Sequence, residues 1–172
     1  MRHIMLDLET MGTAPGSAVV QIGAVEFSIY KVGDPLLITI SLESSVAAGM
    51  RLDPLTIMWW MKQSDESRKS LAENTVPIRD ALQAFSDWIG KEKVCVWGDG
   101  AAFDNALLAS AYRVCRMSLP WHYSGDRCFR TMKETCPVER VASEIEHNAA
   151  ADAVSQAKQM QVILTKYAIR LE

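Results

Sequence analysis

Five residues in three separate segments carry side chains that together could catalyse hydrolysis. They are Asp7, Glu9, Asp104, His147 and Asp152. Clustered carboxylates are the ligands that hard divalent cations such as Mg²⁺ and Mn²⁺ prefer. A histidine near neutral pH can accept a proton from an attacking water. If the fold brings these side chains together, the sequence predicts a metal-assisted hydrolase.

The first two carboxylates belong to an apolar segment with a two-residue period. Met5, Asp7 and Glu9 share one face of the predicted strand over residues 3–9, and apolar side chains occupy the other. Burying two carboxylates costs free energy of desolvation unless a cation offsets their charge. A strand end that reaches solvent remains the alternative interpretation.

The third carboxylate follows a loop that contains Gly98 and Gly100, after a short apolar run that ends at Trp97. Asp104 falls in the first turn of the helix that follows, and we expect its side chain to point toward the sheet. Stabilisation by the positive end of the helix would also explain an aspartate there. Asp99, between the two glycines, is better suited to a turn than to a ligand.

The last pair has the spacing H-x-x-x-x-D. Asp152 stands just ahead of the apolar stripe of the final helix, which begins at Ala153 and turns the carboxylate toward the sheet. His147 lies upstream, where a loop meets that helix, and could extend over the same site as a mobile base. A solvated or helix-capping histidine is the alternative.

Strands come first along the chain and then alternate with helices, which predicts an α/β fold with one mixed sheet covered by helices. Residues 1–172 are expected to form a single domain. The predicted strands cover residues 3–9, 19–30, 36–42 and 94–97, and the predicted helices cover 53–61, 77–89 and about 102–116, with a short strand and helix over 127–134 and a last helical stripe over 153–171.

The amino-acid composition excludes several classes of protein. The chain has 18 Lys and Arg against 21 Asp and Glu, so its formal net charge is -3. That balance excludes broad electrostatic binding of nucleic acid but leaves local contact through metal ions open. The four cysteines form no C-x-x-C pair, which argues against a zinc finger. No signal peptide or membrane span is predicted, so we expect a cytoplasmic protein with reduced thiols and no membrane partner.

Three motifs give this sequence a family resemblance. The series Asp7-x-Glu9-Thr10, Gly98-x-x-x-x-Phe103-Asp104 and His147-x-x-x-x-Asp152 resembles, in order and spacing, the exonuclease motifs of the DEDD superfamily, histidine branch. That superfamily includes proofreading exonuclease subunits, ribonuclease T and oligoribonuclease. The histidine spacing is the specific part, because the sister branch has a tyrosine four residues before the aspartate. Three further stretches, residues 7–12, 57–63 and 127–131, resemble the mycobacterial-type and phage-type 3'-5' exoribonuclease-like subgroup.

The resemblance implies a ribonuclease-H-like mixed β-sheet, an antiparallel meander plus parallel strands, flanked by helices. It implies a 3'-5' exonuclease that releases nucleoside 5'-monophosphates from the 3' ends of single-stranded RNA or DNA. Two Mg²⁺ or Mn²⁺ ions would be held by the carboxylates, and His147 would be the general base. The implied metal ligands are Asp7, Glu9, Asp104 and Asp152.

Substrate contacts are expected around the same residues. By resemblance, Thr10, Met11 and Phe103 would support the terminal nucleotide, although Met11 could equally fill the core. Arg127, Arg130 and Lys133 form a basic cluster that could bind phosphate or could simply face solvent. At most one of the adjacent pair Trp59 and Trp60 can belong to the core, and the other could stack on a base or bury against a partner subunit. An exposed aromatic set is compatible with a homodimer, namely Trp59, Trp60, Trp121 and Tyr123.

Two other functions use the same features. A non-catalytic interaction module could keep this fold, and a ribonuclease-H-like endonuclease also uses clustered carboxylates and two metal ions. The complete set of four carboxylates and a histidine favours the enzyme, because each carboxylate is costly to bury without metal. The histidine spacing favours the exonuclease over the endonuclease.

Overall fold

The computed structural model describes residues 1–171 and contains a five-stranded mixed sheet in the order β3-β2-β1-β4-β5. β1 pairs antiparallel with β2, and β2 with β3, whereas β1, β4 and β5 are parallel. The predicted meander followed by parallel strands is therefore confirmed. The strands are β1 (Arg2–Thr10), β2 (Val19–Phe27), β3 (Leu36–Thr39), β4 (Val94–Gly98) and β5 (Asp126–Cys128).

Seven α-helices and one short 3-10 turn, Tyr123–Gly125, complete the part of the chain that the structure describes. The last helix, which is the longest, starts at Ala149 and ends at Lys166. Asp152 is thus inside its first turn, directly before the buried Ala153, and the end of the predicted stripe lies beyond the helix. The helices are α1 (Leu42–Ala47), α2 (Pro54–Trp60), α3 (Asp65–Ser70), α4 (Ile78–Ile89), α5 (Asp104–Val114), α6 (Phe129–Thr135) and α7 (Ala149–Lys166).

The sequence analysis did not predict α1 and α3. Each has only six residues, too few to show a helical period of apolar side chains. Both begin at serines, Ser41 and Ser64, whose side chains accept hydrogen bonds from backbone N–H groups in the first turn. α3 is important below, because its Ser67 hydroxyl donates a hydrogen bond to the loop before the last helix.

The two faces of β1 belong to two separate cores, as the alternation of the strand predicts. Ile4, Leu6 and Leu8 pack into the larger core, together with α4 and α5. Met5, on the other face, packs with the apolar side of α7 and with Phe129 of α6. Asp7 and Glu9 continue the Met5 face, so α7 covers the strand on the side of these carboxylates.

The pairing of β1 with β2 brings α7 close to Asp7. Gly23 lies opposite Asp7 in the antiparallel register. A Cβ atom at Gly23 would stand 2.0 Å from the carbonyl carbon of Ala149, which is closer than such atoms can approach. The missing side chain therefore lets the first turn of α7 lie directly on the sheet beside Asp7.

A register shift separates Glu9 from Thr10 at the end of β1. Such bulges bend a strand and redirect its side chains, and they are frequent beside active sites. Opposite Glu9 lies Gln21, a polar residue with no exposed surface in a strand whose other buried residues are apolar. Its amide hydrogen-bonds with both α3 and α7, as described below.

The four cysteines are free thiols. Within residues 1–171, no helix combines the length and the hydropathy needed to cross a bilayer.

Candidate active site

The four candidate metal ligands come from three elements that meet at one edge of the sheet. Asp7 and Glu9 lie on β1, Asp104 is the first residue of α5, and Asp152 lies in the first turn of α7. β4 is parallel to β1 and leads into α5, so their carboxyl ends share that edge. The structure therefore brings these carboxylates together.

Asp104 is buried against the ends of β1 and β4. Gly98 makes room for it, because a Cβ atom there would stand 2.8 Å from the Asp104 Cβ. The backbone N–H of Leu8 donates a 3.2 Å hydrogen bond to Oδ1 of Asp104. Its Oδ2 is buried and has no hydrogen-bond partner among residues 1–171. A buried carboxylate oxygen without a donor is a position that a cation would stabilise.

His147 and Asp152 are joined at the start of α7. The backbone N–H of His147 donates a 3.0 Å hydrogen bond to Oδ2 of Asp152. Asn148 caps the helix through its side-chain oxygen, which accepts from the N–H of Ala151. One ligand atom from each of Glu9, His147 and Asp152 lies within 4.8 Å of the others. The loop and helix thus place the imidazole beside two of the carboxylates.

Burial raises the pKa values of all four carboxyl groups, and repulsion by neighbouring carboxylates raises those of Asp7, Glu9 and Asp104 further. Desolvation and then the charges of Asp104, Glu9 and Asp152 raise the pKa of Asp7 well above its usual range. The same causes raise the pKa of Glu9 to about 8, with Asp152 its strongest charged neighbour. For Asp104, desolvation and the charge of Asp99 raise the pKa to about 7. Burial also raises the pKa of Asp152, against the hydrogen bond from His147.

This donor set fits hard divalent cations. All four ligands are oxygen donors, which Mg²⁺ and Mn²⁺ prefer, and a nearby imidazole nitrogen is also compatible with Mn²⁺. Ion binding would remove the repulsion that raises these pKa values, and it would satisfy the lone Oδ2 of Asp104.

A cavity of about 550 Å³ opens on one side of the carboxylates. Thr10, Trp59, Trp60 and Phe103 are among its walls, so three aromatic rings face a space large enough for a nucleotide. Trp60 is only 5% exposed, and its Nε1 donates a 3.0 Å hydrogen bond to the carbonyl of Thr10. Trp59 is 42% exposed and stands at the mouth.

A second cavity of about 670 Å³ lies on the α7 side of the same carboxylates and shares Asp7, His147 and Asp152 with the first. Lys133 and Arg140 line it. Lys133 Nζ is 2.7 Å from Oδ2 of Asp99, which agrees with the expectation that Asp99 serves the loop rather than a metal. The carboxylates therefore stand between an aromatic cavity and a cavity of mixed charge, in which Lys133 and Arg140 are paired with Asp99 and Glu146.

The structure does not bring all the predicted substrate contacts to this place. Met11 is 8% exposed and packs in the larger core, in agreement with its alternative interpretation. Arg127 lines a different cavity, near Met1 and Lys91, because it lies on β5, the outermost strand beyond β4. Arg130 is exposed and bonds to Asp99. Only Thr10 and Phe103 of the five expected contacts line the aromatic cavity.

The expected set of exposed aromatic residues is also wrong in two members. Trp60 and Trp121 are buried, with 5% and 6% of their surface exposed. Their indole N–H groups explain this, because each has an internal acceptor: the Thr10 carbonyl for Trp60 and Oδ1 of Asp126 for Trp121. Only Trp59 and Tyr123 remain exposed, and homodimerisation stays a prediction.

Two glutamines at the site were missed by the sequence analysis. Gln156 donates a 2.7 Å hydrogen bond from Nε2 to Oδ1 of Asp7. Its position one helical turn after Asp152 could have indicated this, because residues four apart share a helix face. The sequence also contained a signal for Gln21, because it is a polar residue among the apolar residues at the start of β2.

Comparison with known protein families decides the class of this site. Residues 2–164 match the model described as the 3'-5' exoribonuclease Rv2179c-like domain. The chain belongs to this family. Its members are 3'-5' exonucleases, so this Rv2179c-like domain is an enzyme, and the family resemblance stated from the three motifs is confirmed. The interaction module and the endonuclease are correspondingly disfavoured.

A curated relative is similar over nearly the whole domain. The exodeoxyribonuclease of Enterobacteria phage T4 is 26% identical over 213 aligned residues, which cover 99% of this chain and 90% of the phage protein. The name of the family specifies RNA, whereas the name of the phage enzyme specifies DNA.

Solved structures show the same fold. E. coli Exonuclease I in complex with a dT13 oligonucleotide matches with a TM-score of 0.69 at 15% identity, over 97% of this chain and 42% of the other. The Rv2179c-like domain thus spans about two fifths of the length of Exonuclease I. The nuclease domain of 3'hExo, a DEDDh family member bound to rAMP, matches with a TM-score of 0.65 at 12% identity, over 99% of this chain and 94% of the other. Both confirm the ribonuclease-H-like sheet.

Proposed function

We propose that this domain removes nucleotides one at a time from the 3' end of single-stranded nucleic acid and releases nucleoside 5'-monophosphates. The observation that supports this most directly is the convergence of Glu9, His147 and Asp152, with ligand atoms within 4.8 Å, next to the partnerless Oδ2 of buried Asp104. The family membership supplies the direction of cleavage.

Asp7, Glu9, Asp104 and Asp152 would hold two divalent cations, Mg²⁺ or Mn²⁺. When bound, such ions lower the pKa of a coordinated water and stabilise negative charge on phosphate oxygens. The protein contributes the fixed geometry. Asp104 is held by the Leu8 N–H, Asp7 by Gln156 and Asp152 by the His147 N–H, so three of the four carboxylates have a defined orientation before an ion binds.

His147 is the proposed general base. A ring nitrogen of His147 accepts a proton from the water that attacks the terminal phosphodiester. The bond between phosphorus and the 3'-oxygen of the preceding nucleotide breaks, and that oxygen takes up a proton from solvent water. The products are a strand shortened by one nucleotide, with a 3'-hydroxyl, and a nucleoside 5'-monophosphate.

The two cavities suggest how a strand lies across the site. The aromatic cavity, with Thr10, Trp60 and Phe103, suits the base and sugar of the terminal nucleotide. Lys133, on the other side of the carboxylates, suits a phosphate of the preceding nucleotides. Because Exonuclease I was solved with single-stranded oligonucleotides, single strands are the proposed substrates here too.

The test uses 5'-labelled RNA and DNA of one sequence, incubated with Mn²⁺, Mg²⁺ or EDTA. We expect stepwise shortening from the 3' end in either metal, no reaction in EDTA, and a mononucleotide product that co-migrates with a nucleoside 5'-monophosphate. Discrete internal cuts, cleavage in EDTA, or intact RNA and DNA would contradict the proposal. The name of the family specifies RNA and that of the phage relative specifies DNA, so the ratio of the rates on the RNA and the DNA shows which substrate this domain prefers.

A matched pair of variants separates the site from general effects on folding. Asp104 and Asp80 both lie in the first turn of a helix, but Asp80 is on the exposed surface of α4. Asp104→Asn should lower the rate at least 100-fold, whereas Asp80→Asn should keep the wild-type rate.

A further inference from the structure

The loop that carries His147 is held in an unusual backbone conformation. His147 has a φ of 60°, in the left-handed region that a residue with a side chain rarely adopts. Such a conformation persists only where neighbouring groups determine it. The contacts around His147 therefore show what holds the proposed base in place.

Three hydrogen bonds fix the backbone on both sides of His147. The Ser67 hydroxyl, on α3, donates to the carbonyl of Glu146 at 2.9 Å. The N–H of Ala149 donates to Oε1 of Gln21 at 3.2 Å. The N–H of His147 itself donates to Asp152. The loop is thus tied to α3 before the histidine and to β2 after it.

Gln21 also joins the two helices to each other. Its Nε2 donates a 2.9 Å hydrogen bond to the carbonyl of Ser70, at the end of α3. One fully buried amide therefore bridges the end of α3 and the start of α7. Because its donor and acceptor are both used inside the protein, displacement of α3 would leave a buried polar group unpaired.

Aromatic contacts fix the ring of His147. Trp59 meets the imidazole edge to face, with 4.9 Å between ring centroids and 79° between planes. Trp60 lies 5.0 Å from Trp59 in the same kind of arrangement and 6.0 Å from His147. Trp60 is itself fixed by burial and by its bond to Thr10. An immobile indole therefore supports Trp59, and Trp59 supports the imidazole.

We infer that residues 54–70, which contain α2 and α3, form a brace that holds His147 over the carboxylates, and that Trp59 is the positioning residue for its ring. The inference rests on the proposed function, since it concerns the proposed base. Trp59 acts through His147, by limiting the positions that the imidazole can adopt. Loss of a correctly placed catalytic group lowers the rate of the chemical step more than it weakens substrate binding.

A direct role for Trp59 in stacking on a nucleobase predicts different kinetics. Stacking contributes to substrate binding, so its loss would raise KM and leave kcat nearly unchanged. It would also act independently of His147. The two roles can therefore be separated by the split between kcat and KM and by a double-mutant cycle.

The kinetic experiment compares the wild type with Trp59→Leu, Trp59→Phe, His147→Ala and the double variant Trp59→Leu/His147→Ala. We expect Trp59→Leu to lower kcat about tenfold with KM within about twofold, and Trp59→Phe to recover most of kcat. The double variant should be no slower than His147→Ala. A rise in KM at constant kcat, or multiplied losses in the double variant, would overturn the inference.

Ser67→Ala and Met58→Ala complete the set. Ser67→Ala removes the hydroxyl that holds the Glu146 carbonyl without changing the aromatic wall, and it should also lower kcat with little change in KM. Met58 is next to Trp59 on α2 but is 52% exposed and does not line the aromatic cavity. Met58→Ala should match the wild type. If Ser67→Ala keeps the wild-type kcat, α3 does not contribute to the position of His147.

A spectroscopic measurement tests the contact without any activity. The ring protons of His147, assigned by their absence in His147→Ala, should carry a ring-current shift from Trp59 in ¹H–¹³C spectra of the metal-free protein. Trp59→Leu should move these resonances, and Met58→Ala should not. Unmoved resonances would overturn the inference. Full activity of His147→Ala would instead refute the proposed base, and the spectra would still report whether the contact exists.

Discussion

Gln156 on α7 donates a hydrogen bond of 2.7 Å to Oδ1 of Asp7 on β1. This bond lowers the pKa of Asp7, against burial and three neighbouring carboxylates that raise it. The Oε1 atom of the same amide is buried and has no hydrogen-bond partner in the described part of the chain. Gln156 therefore orients Asp7 and favours its ionised form, which is the form that binds metal.

Replacement of Gln156 by alanine should weaken the metal site while leaving the fold intact. Second-sphere hydrogen bonds of this kind typically change metal affinity or activity by about 10- to 100-fold. We expect Gln156→Ala to need at least tenfold more Mn²⁺ for half-maximal rate. Gln161→Ala is the control, since Gln161 lies on the same helix and bonds to the Ser28 carbonyl, away from the site. An unchanged Mn²⁺ titration for Gln156→Ala would show that Asp7 needs no such support.

The raised pKa of Glu9, about 8, predicts that the metal-free protein loses stability as the pH rises. Below about pH 4 the carboxyl is protonated in both the folded and the unfolded state. Between that pH and about 8 the unfolded chain releases the proton more readily, so the free energy of unfolding falls. The full shift to about 8 corresponds to a loss of about 5 kcal/mol, or about 10–20 °C in Tm.

Thermal unfolding in EDTA from pH 5 to 8 measures this effect. Glu9→Gln should reduce the dependence, leaving the part due to the other three carboxyl groups. Glu43→Gln, at an exposed position in the first turn of α1, should keep the full dependence. For the wild-type protein, addition of Mn²⁺ at pH 8 should raise the Tm back toward its value at pH 5, because bound cations favour the ionised carboxylates. A Tm that rises with pH in EDTA would mean that the carboxylates do not repel one another.

Gly23→Ala should displace the start of α7. The new methyl group would overlap the Ala149 backbone, which cannot move aside without shifting His147 and Asp152. We expect a loss of stability of about 2–4 kcal/mol and a fall in kcat that exceeds the loss of folded protein. Gly33→Ala is the control, because its nearest atom would be the Glu26 carbonyl oxygen at 3.2 Å. Equal effects of the two substitutions would argue against a close approach at Gly23.

Lys133→Ala and Arg127→Ala should differ, although the two residues lie in one basic cluster of the sequence. Lys133 shares a cavity with Asp7 and Asp152, whereas Arg127 lines another cavity. We expect Lys133→Ala to raise KM about three- to tenfold, with a weaker dependence on salt. Arg127→Ala should stay within about twofold of the wild type. The measurement is KM for a 5'-labelled oligonucleotide over a series of salt concentrations. A larger effect of Arg127→Ala would mean that the nucleic acid does not pass along the cavity that contains Lys133.

The pattern of apolar and polar residues was sufficient to predict the orientation of those site residues whose position depends on a single strand or helix. The alternation in β1 predicts which face Asp7 and Glu9 share, and the apolar stripe of α7 predicts the direction of Asp152. It was not sufficient for Arg127. That residue lies in a strand of only three residues, whose place in the sheet is set by its pairing with β4. No periodicity can be measured over so short a segment.

Contacts between segments that are distant in the sequence could not be predicted from the local residue pattern either. Ser67, which holds the carbonyl before His147, sits in a short polar helix that carries no sign of a role. The hydrogen bond between them spans 79 residues of sequence, and the two ends share no pattern. Gln21 was more informative, because a polar side chain in an apolar strand needs a buried partner. The sequence shows that need without showing which groups satisfy it.

The link between Gln156 and Asp7 joins residues 149 positions apart. β1 precedes α7 along the chain, so Asp152 and His147 are made only after Asp7, Glu9 and Asp104. Until that helix packs on β1 and β2, the growing chain has at most three of the four carboxylates and no histidine beside them. The proposed site is therefore complete only after the last helix has been made and has packed on the sheet.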